Sequence, residues 1–156
     1  MFARRLIEHL EKQIDLVSAE CMQKVKRSDT CAELLRRVPT DEQRQTMREI
    51  YRNLTEWLNN DPVKKQDFYI SLGMRRAAQG VPFNELISVI CGAREYFWDY
   101  VERETLLDAP ADFWGGMKLL RSLDACFDNA LYFTVIGYQK ASAERQAAIS
   151  AVAGRD

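Results

Sequence analysis

Apolar residues recur every three or four positions along most of this chain, and no stretch sustains the strict alternation of a half-buried strand. The pattern predicts an all-α protein, a single-domain helical bundle of about six helices with a long C-terminal helix. The first helix, about Arg4 to Lys26, carries Ile7, Leu10, Ile14, Val17 and Cys21 at three-four spacing. That narrow seam is of the kind bundles and coiled coils use. A short helix over Thr30 to Val38 follows, then a third from about Asp41 to Asn59 with Met47, Ile50, Tyr51, Leu54, Trp57 and Leu58 on one face. A fourth runs from about Pro62 to Gln79. The fifth, Pro82 to about Thr105, has two apolar stripes, one through Phe83, Leu86, Ile87, Ile90, Phe97 and Val101 and one through Val89, Ala93, Tyr96 and Tyr100. A helix that apolar belongs at the centre.

Local punctuation agrees with this division. Pro39, Pro62, Pro82 and Pro110 each stand at or just before a helical run, where a missing N–H costs nothing. Thr40-Asp41-Glu42-Gln43 reads as a capping box, Asp61 as an N-cap and Gly80 as a helix terminator. The last helix starts near Ala111 and meets no strong breaker before Gly154 except Gly115, Gly116 and Gly137; unbroken, it would reach ~60 Å. Its first part is core-like. After Gln139 it turns polar and alanine-rich, with only Ala143, Ala147, Ile149 and Val152 as a thin stripe. The expected division is therefore a bundle over residues 1–138 and a helical extension or connector over 139–156, serving as a stalk, a dimer contact or a frayed end.

Composition narrows the functional classes. The 156 residues suit one domain, and 22 basic against 23 acidic side chains leave a net charge of −1. Such a balance excludes a protein that depends on a broad basic field to hold nucleic acid. The start of the chain is too charged for a signal peptide, and no uncharged run approaches the ~20 residues of a bilayer span, so no membrane role and a cytoplasmic location are expected. The four cysteines, Cys21, Cys31, Cys91 and Cys126, form no CxxC pair and read as small buried hydrophobes rather than a redox or metal site. His9 is the single histidine. It lies off the seam and reads as a surface residue, and the later helices lack the histidine that globin-type haem ligation needs. No nucleophile elbow, phosphate loop or metal-ligand spacing is present, so neither catalysis nor a cofactor is expected.

Ten of the sixteen aromatic residues lie after Arg94. An ordinary core with a dimer interface accounts for them; an apolar ligand pocket lined by Tyr96, Phe97, Tyr100, Phe127 and Tyr132 is the alternative, and would admit a small molecule or lipid. Arg75, Arg76 and Arg94 could clamp an anion, though neighbouring carboxylates favour a salt-bridged face. Gly73, Gly92 and Gly137 fall inside helices at about 1 kcal/mol each, which a close helix crossing or a bound ligand would offset.

The most distinctive stretch runs from Leu72 to Leu86. Arg76, Gln79, Gly80, Val81, Pro82, Phe83, Glu85 and Leu86 carry the pattern R-x-x-Q-G-[VI]-P-(aromatic or Leu)-x-E-L, with a second echo from Phe127 to Tyr132 and on through Gly137-Tyr138. This resembles the RsbRD N-terminal domain family, found in co-antagonists of the stressosome kinase RsbT and as the input module of some sensor histidine kinases. The likeness spans roughly residues 5 to 145. It implies a non-catalytic, all-helical sensory domain, a homodimer, acting on an attached or partner output module. The apolar seams point to Ile7, Leu10, Ile14, Val17, Phe127, Leu131 and Tyr138 as the dimer interface, where a shift in packing would pass outward along the last helix.

Overall fold

A computed structural model describes the backbone of residues 2–58, 65–104 and 110–155, and the side chains of 4–58, 65–104 and 116–155. Six α-helices run through it: α1 (Phe2–Arg27), α2 (Ala32–Arg37), α3 (Thr40–Leu58), α4 (Lys65–Ala78), α5 (Phe83–Arg103) and α6 (Pro110–Ala153), with one 3-10 turn at Asp29–Cys31 before α2. No strand occurs among the described residues. Asn59, Asp61, Pro62 and Thr105 lie outside the described residues, as do the side chains of Phe113 and Trp114, two of the ten aromatic residues after Arg94.

The core forms where the apolar stripes face one another. Leu10 and Val17 from α1, Ile50, Tyr51 and Leu54 from α3, Leu72 from α4, Ile90 and Phe97 from α5, and Leu123 and Phe127 from α6 are all essentially inaccessible. The central place expected for α5 follows from its two buried sides, which include Ala93, Tyr96, Tyr100 and Val101. Phe83 departs from its stripe: it is 38% exposed and lies at the rim, its ring against that of Tyr138. α1 and α5 run in opposite directions, since His9 meets Glu104 while Thr30 meets Ser88.

Two local expectations are corrected. No capping box forms at Thr40, because the first hydrogen bond of α3 closes from Gln43 N to the Pro39 carbonyl and proline takes the cap position. The side chains the box would have used go elsewhere. Gln43 is buried and donates to Val38 O at 2.6 Å and Leu35 O at 3.2 Å, while Glu42 reaches across to α4. His9 is not a free surface residue; about a third of its side chain is accessible and its ring stands 5.8 Å from that of Tyr100.

α6 is unbroken, 44 residues and therefore ~66 Å long. α4 lies beside it in the same direction: Ile70 meets Gly137, Gly73 meets Thr134 and Tyr138, and Met74 and Ala78 share a groove with Ala141 and Ser142. α4 ends at Ala78, and from Ser142 to Arg155 every residue of the chain is exposed. The bundle thus holds one helix along its body and lets the end overhang.

Candidate functional site

The family-like segment folds into the corner from which α6 departs. Gly80 ends α4 with φ of 71°, a conformation that costs glycine little and other residues considerably more. Val81 N bonds to Arg76 O and Gly80 N to Ala77 O, each at 3.0 Å, the paired bonds of a Schellman motif. Val81 then drops into a small apolar cluster with Leu34, Val38 and Leu86. Pro82 caps α5, its carbonyl accepting from Glu85 N and Leu86 N.

Polar side chains of the same segment tie this corner to two other helices. Arg76 is 2% exposed; its guanidinium donates to Glu42, to Gln79 Oε1 at 2.9 Å and to Thr46 Oγ1 at 2.9 Å. Gln79 Nε2 donates to Glu42 Oε2 at 3.0 Å, and Arg75 stands 3.3 Å from the same carboxylate. Burial alone would raise the Glu42 carboxyl, but the Arg76, Gln79 and Arg75 donors outweigh it and hold the group below the usual carboxylate range. A buried guanidinium with its donors satisfied in this way fastens α4 to the start of α3. Glu85 Oε2 accepts from Leu34 N at 2.7 Å, so a carboxylate on α5 satisfies a free N–H in the first turn of α2.

α6 joins the corner through Tyr138, whose hydroxyl donates to Val81 O at 2.7 Å and whose ring packs 5.0 Å from Phe83. One turn earlier the two backbones nearly touch. A methyl on Gly73 would fall 2.7 Å from Tyr138 N and nearer still to Thr134 O; one on Gly137 would fall 2.7 Å from the Ile70 carbonyl carbon and nearer still to its oxygen. The close-crossing explanation therefore holds for Gly73 and Gly137. It fails for Gly92, where an added methyl meets nothing within 4 Å.

Where α6 overhangs, it and the end of α4 border an open groove of about 1140 Å³ lined by Met74, Arg75, Ala78, Pro82, Ala141, Arg145 and Ile149 among others. Ile149 and Val152 are large apolar residues left mostly exposed on the overhang.

The residues expected to line an aromatic pocket are not brought together around a space. Phe97 and Phe127 pack on each other with centroids 6.3 Å apart, Tyr96 stacks on Tyr100 at 6.5 Å, and Tyr132 points outward at 62% exposure. Tyr96 donates to Glu20, which also accepts from Arg103 Nη2 at 3.0 Å. The residues expected at a dimer interface are also largely spoken for. Ile7, Leu10, Val17 and Phe127 are buried in the chain's own core, Ile14 and Leu131 pack against it, and Tyr138 is engaged with Val81. The arginines form no free anion clamp: Arg75 and Arg76 pair with Glu42 and Arg94 with Asp128.

Sequence reasoning passed over Glu42, Thr46 and Leu34 as members of the corner, because their partners lie 34, 30 and 51 residues away in the chain. The spacing of Arg76 and Gln79 was a usable signal, since i and i+3 share one helix face and two strong hydrogen-bonding groups there call for a common partner.

No group of three or more metal-capable side chains occurs among the described residues, and no helix among them is long and apolar enough to cross a membrane. The class is an all-helical bundle that clamps a single long helix and releases its end. Residues 5–152 match the RsbT co-antagonist protein rsbRD N-terminal domain family, nearly the whole chain. The chain belongs to that family and so to the stressosome-type regulatory input domains. No curated protein and no solved structure matches it.

Proposed function

We propose that this domain receives a signal in its helical body and passes it on through α6, acting as a homodimer, with residues 139–156 as the connector to an output module. One observation carries the reading: a single unbroken helix crosses the whole core, is pinned at the corner by Tyr138, and then overhangs with every residue from Ser142 to Arg155 exposed. A change of packing anywhere along the buried part of α6 alters the position of its end, because a helix transmits displacement along its length. Family membership supports a regulatory rather than a metabolic role. The surfaces left for a second copy are those the core does not use, with Met117, Tyr132, Ile149 and Val152 the large apolar side chains exposed on α6 among the described residues.

Light scattering across a concentration series, on the full chain and on a version cut after Gln139, tests this. The expected result is a dimer that weakens on truncation while the helical body keeps its circular-dichroism spectrum. A monomer in both forms would sink the dimer mechanism.

A further inference from the structure

Three of the four cysteines, from three different elements, line one cleft of about 270 Å³ between α1, the 3-10 turn and α5. Cys21 and Cys31 form its buried wall; Cys91 is only half-buried and is the thiol that solvent reaches. The cleft has room beside Cys91, because the neighbouring Gly92 faces open space.

The three thiols differ in what holds them. Cys21 sits in the middle of a long helix and burial pushes its thiol up to about 11, which keeps it protonated and unreactive. Cys31 ends a single 3-10 turn of three residues, a short element whose opening is cheap compared with that of a long helix. That turn is fastened to α5 by a hydroxyl pair, Thr30 Oγ1 to Ser88 Oγ at 3.2 Å, and by the Cys31 thiol, which donates to the Glu85 carbonyl at 3.8 Å and must give up that contact to reach Cys91. Thr30 is the chain neighbour of Cys31, and Ser88 lies one turn before Cys91 on the same face of α5. The bridge therefore holds the backbone of one thiol beside the helical turn of the other.

We propose that Cys91 and Cys31 are a modification site for hydroperoxides, oxidised in two steps to an intramolecular disulfide. In the first step the Cys91 sulfur attacks a peroxide oxygen: the O–O bond breaks, an S–O bond forms, and the thiol proton leaves with the departing alcohol or water, giving a sulfenic acid. In the second the Cys31 sulfur displaces hydroxide from that sulfenic acid: the S–S bond forms, the S–O bond breaks, and the Cys31 proton leaves with hydroxide as water.

The position of Cys31 gives the disulfide a consequence. Cys31 is the N-cap residue of α2, whose first turn is bonded to Glu85 and whose Leu34 packs in the corner cluster against Val81. Drawing Cys31 along α5 toward Cys91 pulls on that corner, from which α6 departs. This second half rests on the regulatory reading above; the chemistry does not.

The test is to treat the full chain with a small excess of hydrogen peroxide, block remaining thiols, and map the peptides by mass spectrometry, with amide hydrogen exchange on the oxidised and reduced forms. The expected product has lost two hydrogen atoms, contains a Cys31–Cys91 cross-linked peptide that dithiothreitol reverses, and does not form in Cys91→Ser. Cys91 that stays reduced, that runs on to the sulfinic acid without a cross-link, or that pairs with Cys21 overturns the proposal, and the wild-type map alone decides between these. Exchange at Leu34 to Arg37 should rise about tenfold on oxidation. A disulfide formed with unchanged exchange there and in α6 leaves the dithiol standing and counts against the regulatory reading for this stimulus.

Discussion

The glycines show how much a single hydrogen atom decides in this protein. Gly137→Ala forces a methyl into the Ile70 carbonyl, so the two backbones must part or the helices tilt, and a loss of about 1–3 kcal/mol is expected in chemical denaturation. Gly92→Ala meets open space and gains helix propensity; it should stabilise by about 0.5–1 kcal/mol in the same assay. Sequence alone ranks these two substitutions equally, because each glycine interrupts a helical pattern and only the facing backbone tells them apart. Arg76 makes a similar point for charge. Its partners come from α3 and from Gln79 just past the end of its own helix, and Arg76→Met would leave the Glu42 carboxylate facing the corner without its main donor. Because Glu42 is itself a quarter exposed, the expected loss is about 3 kcal/mol, at the low end for breaking a buried pair, again read by denaturation.

Among the elements, α2 depends most on help from elsewhere. Six residues are too few to hold a helix in water, and part of the missing support comes from the Glu85 carboxylate on α5. Glu85→Ala should cost about 1 kcal/mol and speed amide exchange in Ala32–Arg37 well before it affects α4 or α6, a pattern that exchange mass spectrometry resolves. The helices themselves were legible from apolar spacing, with α1 and α5 bounded within two residues of expectation and α3 starting within one. Periodicity reports which side of a helix is buried, and that is why it worked. It cannot report against what, and the first-helix seam illustrates the limit: the spacing of Leu10 and Val17 fits a partner chain as well as it fits α3 and α5, and the structure gives both residues to the core. The corner motif was legible as a turn through Gly80 and Pro82 and illegible as a meeting point. Glu42 and Leu34 are joined to it only by the fold.

At the scale of the whole molecule, the carboxylates set the response to acid. Tyr96 and Arg103 hold Glu20 low, Arg36 and Arg37 hold Glu33 at about 2, and Arg76 leads the donors that keep Glu42 low against its burial. All three bind protons less readily in the folded chain than in the unfolded one, so the unfolded chain takes up more protons as pH falls. Their stabilisation is in place above the ordinary glutamate value of 4.5 and is lost as pH drops from there toward about 2; melting temperature measured through that window should decline steadily. The same scale brings out what the Gly73–Gly137 crossing does mechanically. It is a fulcrum, with a buried arm on one side and an arm of ~24 Å from Gly137 to Ala153 on the other. A tilt of about 5° at the fulcrum would carry the tip ~2 Å, farther than a core side chain can move without repacking.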